Sequence, residues 1–216
     1  MSKLQYYSIR YIIEFLLAQS KEGEFWDFKR EWHDNIEDLI KDIICFANTA
    51  HDESCYIVFG VDDCCNIVGM EKPRRKQADI IDALSNLVFA GDISPKISVD
   101  SIEIEGKDVD ILIVSDMDNT PVYLKRNYGK MKAGCIYLRT GDKNTPDGGN
   151  ADIADIEMLW KKRLGLTKPP LEFVRCDHFE WIRLNTSMIG CTTRWNGKNR
   201  RAISIIIFIS LNLRSR

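Results

Sequence analysis

The chain has 216 residues, 44% of them hydrophobic and 29% charged, the balance of an ordinary globular protein, which excludes fibrous, collagen-like and wholly disordered classes. Lysine and arginine number 30 against 32 acidic residues, a formal net charge of −2, so any phosphate-binding surface must be local rather than a property of the whole chain. The opening residues carry neither the basic n-region nor the long apolar stretch of a secretory signal.

In chain order, Tyr6 to Ala18 places Ile9, Ile12, Ile13, Leu16 and Leu17 at helical spacing and predicts an amphipathic lead-in helix over residues 1–20. Gly23 to Lys29 alternates and is aromatic-rich, as a strand would be. Asp34, with Glu37 three residues on, reads as the N-cap of a helix built on Ile36, Leu39, Ile40, Ile43, Ile44 and Ala47. Cys55 to Val61 is continuously apolar, the pattern of a strand buried on both faces, and Asn66 to Gly69 reads as the return arm of a hairpin. A helix is expected over Ala78 to Phe89, then strands over Ile97 to Ile104 and Val109 to Ser115 about a Glu105-Gly106-Lys107 turn. A further strand pair, Pro121 to Lys125 and Cys135 to Arg139, is expected to flank a basic loop, followed by a helix from Ile153 to Leu164. Strands and helices mix without strict alternation, which predicts a mixed α+β fold: a mixed sheet with helices packed on it. Thr167-Lys168-Pro169-Pro170 reads as a linker, leaving 21–165 as the main domain and 166–216 as a linker and a C-terminal strand-like segment. The apolar run from Ala202 to Leu213 is shorter than the ~20 residues a membrane-crossing helix needs.

Seven cysteines (Cys45, Cys55, Cys64, Cys65, Cys135, Cys176 and Cys191) are odd in number, and several sit inside apolar patterns. That usage fits free thiols in a reducing compartment, so a cytoplasmic location and no membrane partner are expected. Cys176, His178 and Cys191 lack a fourth ligand and a Cys-x2-Cys pair, a poor basis for zinc. Cys64-Cys65 lies in a turn and indicates neither chelation nor a nucleophile. His33 and His51 have no evident nucleophile beside them, and no phosphate-binding Gly-x4-Gly-Lys loop occurs.

Charge is segregated along the chain. Ser98 to Asp118 holds seven acids and one base, whereas Asn119 to Lys143 holds six bases and one acid. Such runs are commonly just solvated faces, but a basic hairpin beside carboxylates is also what a phosphate-binding surface needs. Lys125, Arg126, Lys130, Lys132, Arg139 and Lys143 are the candidates, with Lys29 and Arg30 beside them; Lys72, Arg74, Arg75 and Lys76 form a second basic run ahead of a helix, where cations oppose the helix dipole. Asp27 and Lys29, two apart on one strand, share a face. Asp62 ends the next apolar strand, so Glu22, Asp27 and Asp62 would converge if the two strands were neighbours, and carboxylates so placed hold divalent metals.

The ordered series Glu22-x4-Asp27-Phe28-Lys29, Ile44-Cys45-Phe46-Ala47-Asn48-Thr49, Ile57-Val58-Phe59-Gly60-Val61-Asp62-Asp63 and Ile67-Val68-Gly69 resembles the schlafen AlbA_2 domain family. Ile93-Ser94-Pro95, Pro121-Val122 and Tyr137-Leu138-Arg139-Thr140-Gly141-Asp142 continue the likeness, which spans Lys21 to Gly165. The resemblance implies a nucleic-acid-binding module for DNA or RNA. For the members that cut RNA it implies three acidic metal ligands, which match Glu22, Asp27 and Asp62, with Lys29 steadying phosphate or water and Mg²⁺ or Mn²⁺ as the ion. Two departures stand out: the second acid is Asp where Glu is usual, shortening its reach by a methylene, and Ala50-His51-Asp52-Glu53-Ser54 replaces a Gly-Gly pair. The expected function is phosphate-driven nucleic-acid binding. A metal-dependent nuclease is the alternative, and an interaction module that forms homo-oligomers through residues 202–213 is a third reading.

Overall fold

A computed structural model describes residues 3–70 and 74–167, with backbone alone for residues 3–8, and the compact unit they form ends at Gly165. The expectations placed on residues 168–216, including the Ala202–Leu213 strand, the Pro-Pro linker and Cys176, His178 and Cys191, lie outside the described residues.

The elements in order are α1 (Lys3–Ala18), β1 (Trp26–Lys29), α2 (Ile36–Ala47), β2 (Cys55–Phe59), α3 (Gln77–Ser85), β3 (Ile97–Ile104), β4 (Lys107–Val114), β5 (Arg139–Thr140), β6 (Lys143–Asn144) and α4 (Ile153–Arg163). The main sheet has the order β1-β2-β4-β3. β1 and β2 are parallel, joined through α2, while β4 runs antiparallel to both β2 and β3. This is the mixed sheet with packed helices that the pattern predicts, an α+β fold.

The continuous apolar character of β2 has a direct cause: both faces of the sheet are covered. Ile57 and Phe59 point with Leu112 and Val114 of β4 into a core under α2 and α3. Val58 points the other way, with Phe28, Val109 and Ile111, into a second core against Ile9, Ile13 and Leu16 of α1. α1 is therefore part of the folded unit rather than a lead-in to it. Leu39, Ile40, Ile43 and Ile44 of α2 are at most 1% exposed, each contributing on the order of 1.5–3 kcal/mol by burial. The cap of α2 lies one residue later than the sequence predicts: the Asn35 side chain accepts the Glu37 N–H.

The hairpin return is present. Val61 bridges Ile67, and the Gly60 carbonyl accepts from Val68 and Gly69. Gly60 has φ 97°, and a Cβ there would lie 3.2–3.3 Å from the Gly69 and Asp108 backbones, so this close crossing requires glycine.

Two expectations fail. The predicted helix over 78–89 stops at Ser85, and the predicted strands 121–125 and 135–139 do not pair with each other. Instead the chain leaves α3 so that Phe89 becomes buried and bridges Leu124, with Ala90 N–H donating to the Tyr123 carbonyl and Lys125 N–H to the Val88 carbonyl. Asn48 explains the rest. Its buried amide donates to the carbonyls of Val122 and Tyr137 and accepts from the Val122 N–H, so one side chain supplies the bonds that a strand ladder would have made. Among the described residues no helix is long and apolar enough to cross a membrane.

Candidate nucleic-acid interface

β1 is an edge strand, and its polar side chains gather where β5 and β6 approach it. Asp27, 1% exposed, lies 2.7 Å from the Lys29 ammonium, the same-face pair that alternation predicts. The Arg139 guanidinium reaches across from β5, 3.5 Å from Asp27 Oδ1 and 3.4 Å from Glu22 Oε2. It donates through Nε to the Gly23 carbonyl at 2.9 Å and through its terminal nitrogens to Asn144 Oδ1, and it lies over the Phe46 ring. Burial, reinforced by a hydrogen bond and charge repulsion from Asp27, pushes the Glu22 carboxyl up to about 7. Burial also works to raise Asp27, but the hydrogen bond from Glu22 and the charges of Lys29 and Arg139 outweigh it and hold Asp27 below the usual range. Asp27 Oδ1 is buried without a hydrogen-bond partner, with the Arg139 guanidinium 3.5 Å away. Lys29 is raised, burial being overcome by the Asp27 charge. The cluster is thus two carboxyls sharing a proton, closed by two cations.

Asp62 does not join them. Its Oδ1 accepts from the N–H groups of Cys64 and Asn66 at 3.0 and 2.8 Å, and Oδ2 from the Asn66 amide at 3.3 Å. The backbone hydrogen bond from Asn66 is the main reason its carboxyl is held low. The parallel pairing of β1 and β2 makes the strands neighbours, yet Asp62 is spent closing its own turn. Glu22, Asp27 and Asp62 therefore do not fit a divalent ion. Asp27 is already paired with Lys29 and Arg139, Asp62 is turned to main-chain donors, and the three carboxyls do not bring their oxygens within 4.8 Å of one another. Among the described residues only Asp52, Asp116 and Asp118 bring three ligand atoms within 4.8 Å. There the fully buried Lys162 ammonium already supplies the cation, donating to the carbonyls of Thr49 and His51 and to Asp116 Oδ1 at 2.5 Å. The sequence carries no local signal for Lys162, whose partners are 46 to 113 residues away.

The basic residues separate into two groups. Arg139, expected at a phosphate-contacting surface, is 5% exposed and committed to the β1 edge; the family-like Arg-Thr-Gly turn carries it inward. Arg74 pairs with Asp108 and lies 3.6 Å from Asp110, and Arg75 donates to the carbonyls of His33 and Asp34. These two hold the approach to α3 in place. Lys130 lies between Asp38 and Asp147, and Lys125 is 3.6 Å from a 91%-exposed Asp92. Arg30, Arg126, Lys132 and Lys143 are exposed and make no ion pair with a described residue. Arg126, Lys132 and Lys143 direct their charge at solvent, while Arg30 also helps to hold the Asp62 carboxyl low.

The structure also finds a histidine–thiol contact that the sequence does not reveal: Cys55 Sγ lies 3.9 Å from His51 Nε2. Burial pushes the thiol up to about 12 and lowers the imidazole, so both are neutral near pH 7 and the pair is no activated nucleophile.

A model of the family described as Schlafen, AlbA_2 matches residues 22–146. No curated protein matches the chain. Among solved structures, the DIP2311 protein from Corynebacterium diphtheriae aligns with 74% of this chain at 16% identity and a TM-score of 0.45; the match spans only 29% of that protein. The N-terminal domain of a Nitrosomonas europaea protein described as related to the ATP-dependent DNA helicase RecG aligns with 66% of this chain and 94% of its own length, at 19% identity and a TM-score of 0.43.

Proposed function

Because the chain belongs to the Schlafen AlbA_2 family, we propose that it is a nucleic-acid-binding module that contacts phosphates through exposed cations of the 125–143 segment. The observation that supports this most directly is that Arg126, Lys132 and Lys143 face solvent without an ion pair to a described residue, whereas other cations nearby are matched to acids. An exposed, unmatched cation binds phosphate without first breaking an internal pair, and each such contact releases counterions. Arg30, exposed just after β1, adds a fourth charge, part of which acts on Asp62.

Binding to labelled RNA and to single- and double-stranded DNA, followed by fluorescence anisotropy across a salt series, tests this reading. Affinity should fall steeply between roughly 50 and 200 mM salt. Replacing Arg126, Lys132 and Lys143 together with glutamine should flatten the log–log slope by about one unit for each phosphate left unneutralised. Affinity that does not respond to salt, or an unchanged slope in the triple variant, would overturn the assignment. The misfit of Glu22, Asp27 and Asp62 to a metal leads us to expect uncut nucleic acid in Mn²⁺ and in EDTA alike. Mn²⁺-dependent cutting abolished by both Glu22→Ala and Asp62→Ala would restore the nuclease.

A further inference from the structure

Beside the exposed cations, a groove of about 430 Å³ opens between the end of α3 and the start of the basic segment. Its floor is apolar, made by Leu87, Val88 and Leu124. Main-chain bonds hold the floor together: Lys125 N–H to the Val88 carbonyl, Ala90 N–H to the Tyr123 carbonyl and the Phe89–Leu124 bridge. The groove is therefore formed in the free protein and needs no ordering on binding. Val88 is 38% exposed, an apolar side chain left open within a tied floor.

The walls are polar in a specific way. Asn86 and Asn127 line the groove. The Asn127 carbonyl oxygen accepts from the Ala133 N–H, which leaves its NH₂ group as donor. Tyr128 supplies the aromatic wall and Arg126 the charge, and no acidic residue lines the groove. Tyr128 is fixed by a turn in which it exchanges backbone hydrogen bonds with Met131, at 3.0 and 2.9 Å. Gly129 in that turn has φ 53°, and a Cβ there would fall 2.1 Å from Glu37 Oε2, so the turn is pressed against the start of α2. The larger cleft, about 680 Å³ beside α1, differs in charge: Arg10 and Lys107 share its lining with Glu14 and Glu105, which selects for no one sign.

The geometry points to this groove as the receptor for one unpaired nucleobase of a single-stranded nucleic acid, with its flanking phosphate on Arg126. A flat ring covers the apolar floor and stacks on an aromatic side chain, amides hydrogen-bond the base edge, and the guanidinium takes the phosphate. A base within a duplex has its faces covered by its neighbours, so the groove discriminates in favour of single strands. This inference rests on the nucleic-acid reading above and adds a base-dependent contribution to it.

The test compares, by anisotropy at one salt concentration, a short single-stranded oligothymidylate with the same backbone carrying abasic sites. Stacking of one base on an aromatic ring tightens binding severalfold or more, so the intact strand should bind on the order of tenfold more tightly. Tyr128→Leu keeps the apolar bulk but removes the ring, and should erase most of that preference while leaving the salt slope unchanged; circular dichroism verifies its fold. Asn86→Ala, at an exposed position, should reduce the preference in part. Salt-dependent binding that is equal for intact and abasic strands would overturn the groove assignment and leave the phosphate reading standing. Absence of binding to either strand and to duplex would overturn both.

Discussion

The two charged regions of the unit differ in where their charge is directed: at the β1 edge the buried Asp27 and Arg139 pair with each other and with the half-buried Lys29 and Glu22, while along residues 125–143 Arg126, Lys132 and Lys143 face solvent. Both regions are rich in the same residue types. What separates them is burial, because a charge removed from water must find a partner inside the protein, whereas one left in water is free to bind an outside anion. The β1 edge is committed internally, and the exposed segment is left open to the phosphate contacts proposed above.

The comparison breaks most sharply if the buried partners are removed. Arg139→Leu leaves Asp27 in the interior with Lys29 as its remaining cation, and should destabilise the protein by about 3–5 kcal/mol in urea denaturation. Lys162→Met should cost a similar amount, because Asp116 and the Thr49 and His51 carbonyls then lose their shared donor. If either variant unfolded at the wild-type urea midpoint, these buried pairs would not be what holds the interior together.

A finer test uses the shared proton. Glu22 gains a proton near pH 7 in the folded chain and only near 4.5 in an unfolded one. The folded state therefore holds an extra proton between those values, so the contribution of Glu22 is full below pH 4.5 and fades as pH rises through 7. Wild type should therefore lose stability relative to Glu22→Gln as pH rises across that window. His51, lowered by burial, gives an opposite slope, but it is common to both chains and cancels in the difference. Parallel pH profiles would rule out the proton-sharing pair. The smallest expected effect is on the other side of the comparison: Lys143→Gln should leave stability within about 0.5 kcal/mol of wild type while weakening nucleic-acid binding. A loss of stability there would mean that Lys143 is not free for a ligand.

How much of this is legible in the sequence follows from the range of each interaction. α2 announces itself through Leu39, Ile40, Ile43 and Ile44, and β2 through an unbroken apolar run, because their signals are local and periodic. The 121–139 segment has the same alternation of apolar residues, and its misreading as a strand pair is instructive: Val122 and Tyr137 are buried, yet their backbone partners are on Asn48, 74 and 89 residues away. Arg139 fails for the same reason. A basic residue in a basic run reads as surface, and only the fold brings it to Gly23 and Glu22, more than a hundred residues upstream. Strand alternation, a local rule, puts Asp27 and Lys29 on one face as they are found, whereas the assembly of three acids depends on tertiary geometry, and Asp62 spends its oxygens on its own turn.

Lys162 has a practical consequence for where the chain can be cut. It is the penultimate residue of α4, and its ammonium is tied to the 49–52 loop and to Asp116 just beyond β4. A protein shortened to end before residue 162 would lose that anchor along with the last two residues of the helix. One ending after Gly165 would keep it, so the shortest version worth expressing for binding work has its carboxyl terminus beyond α4.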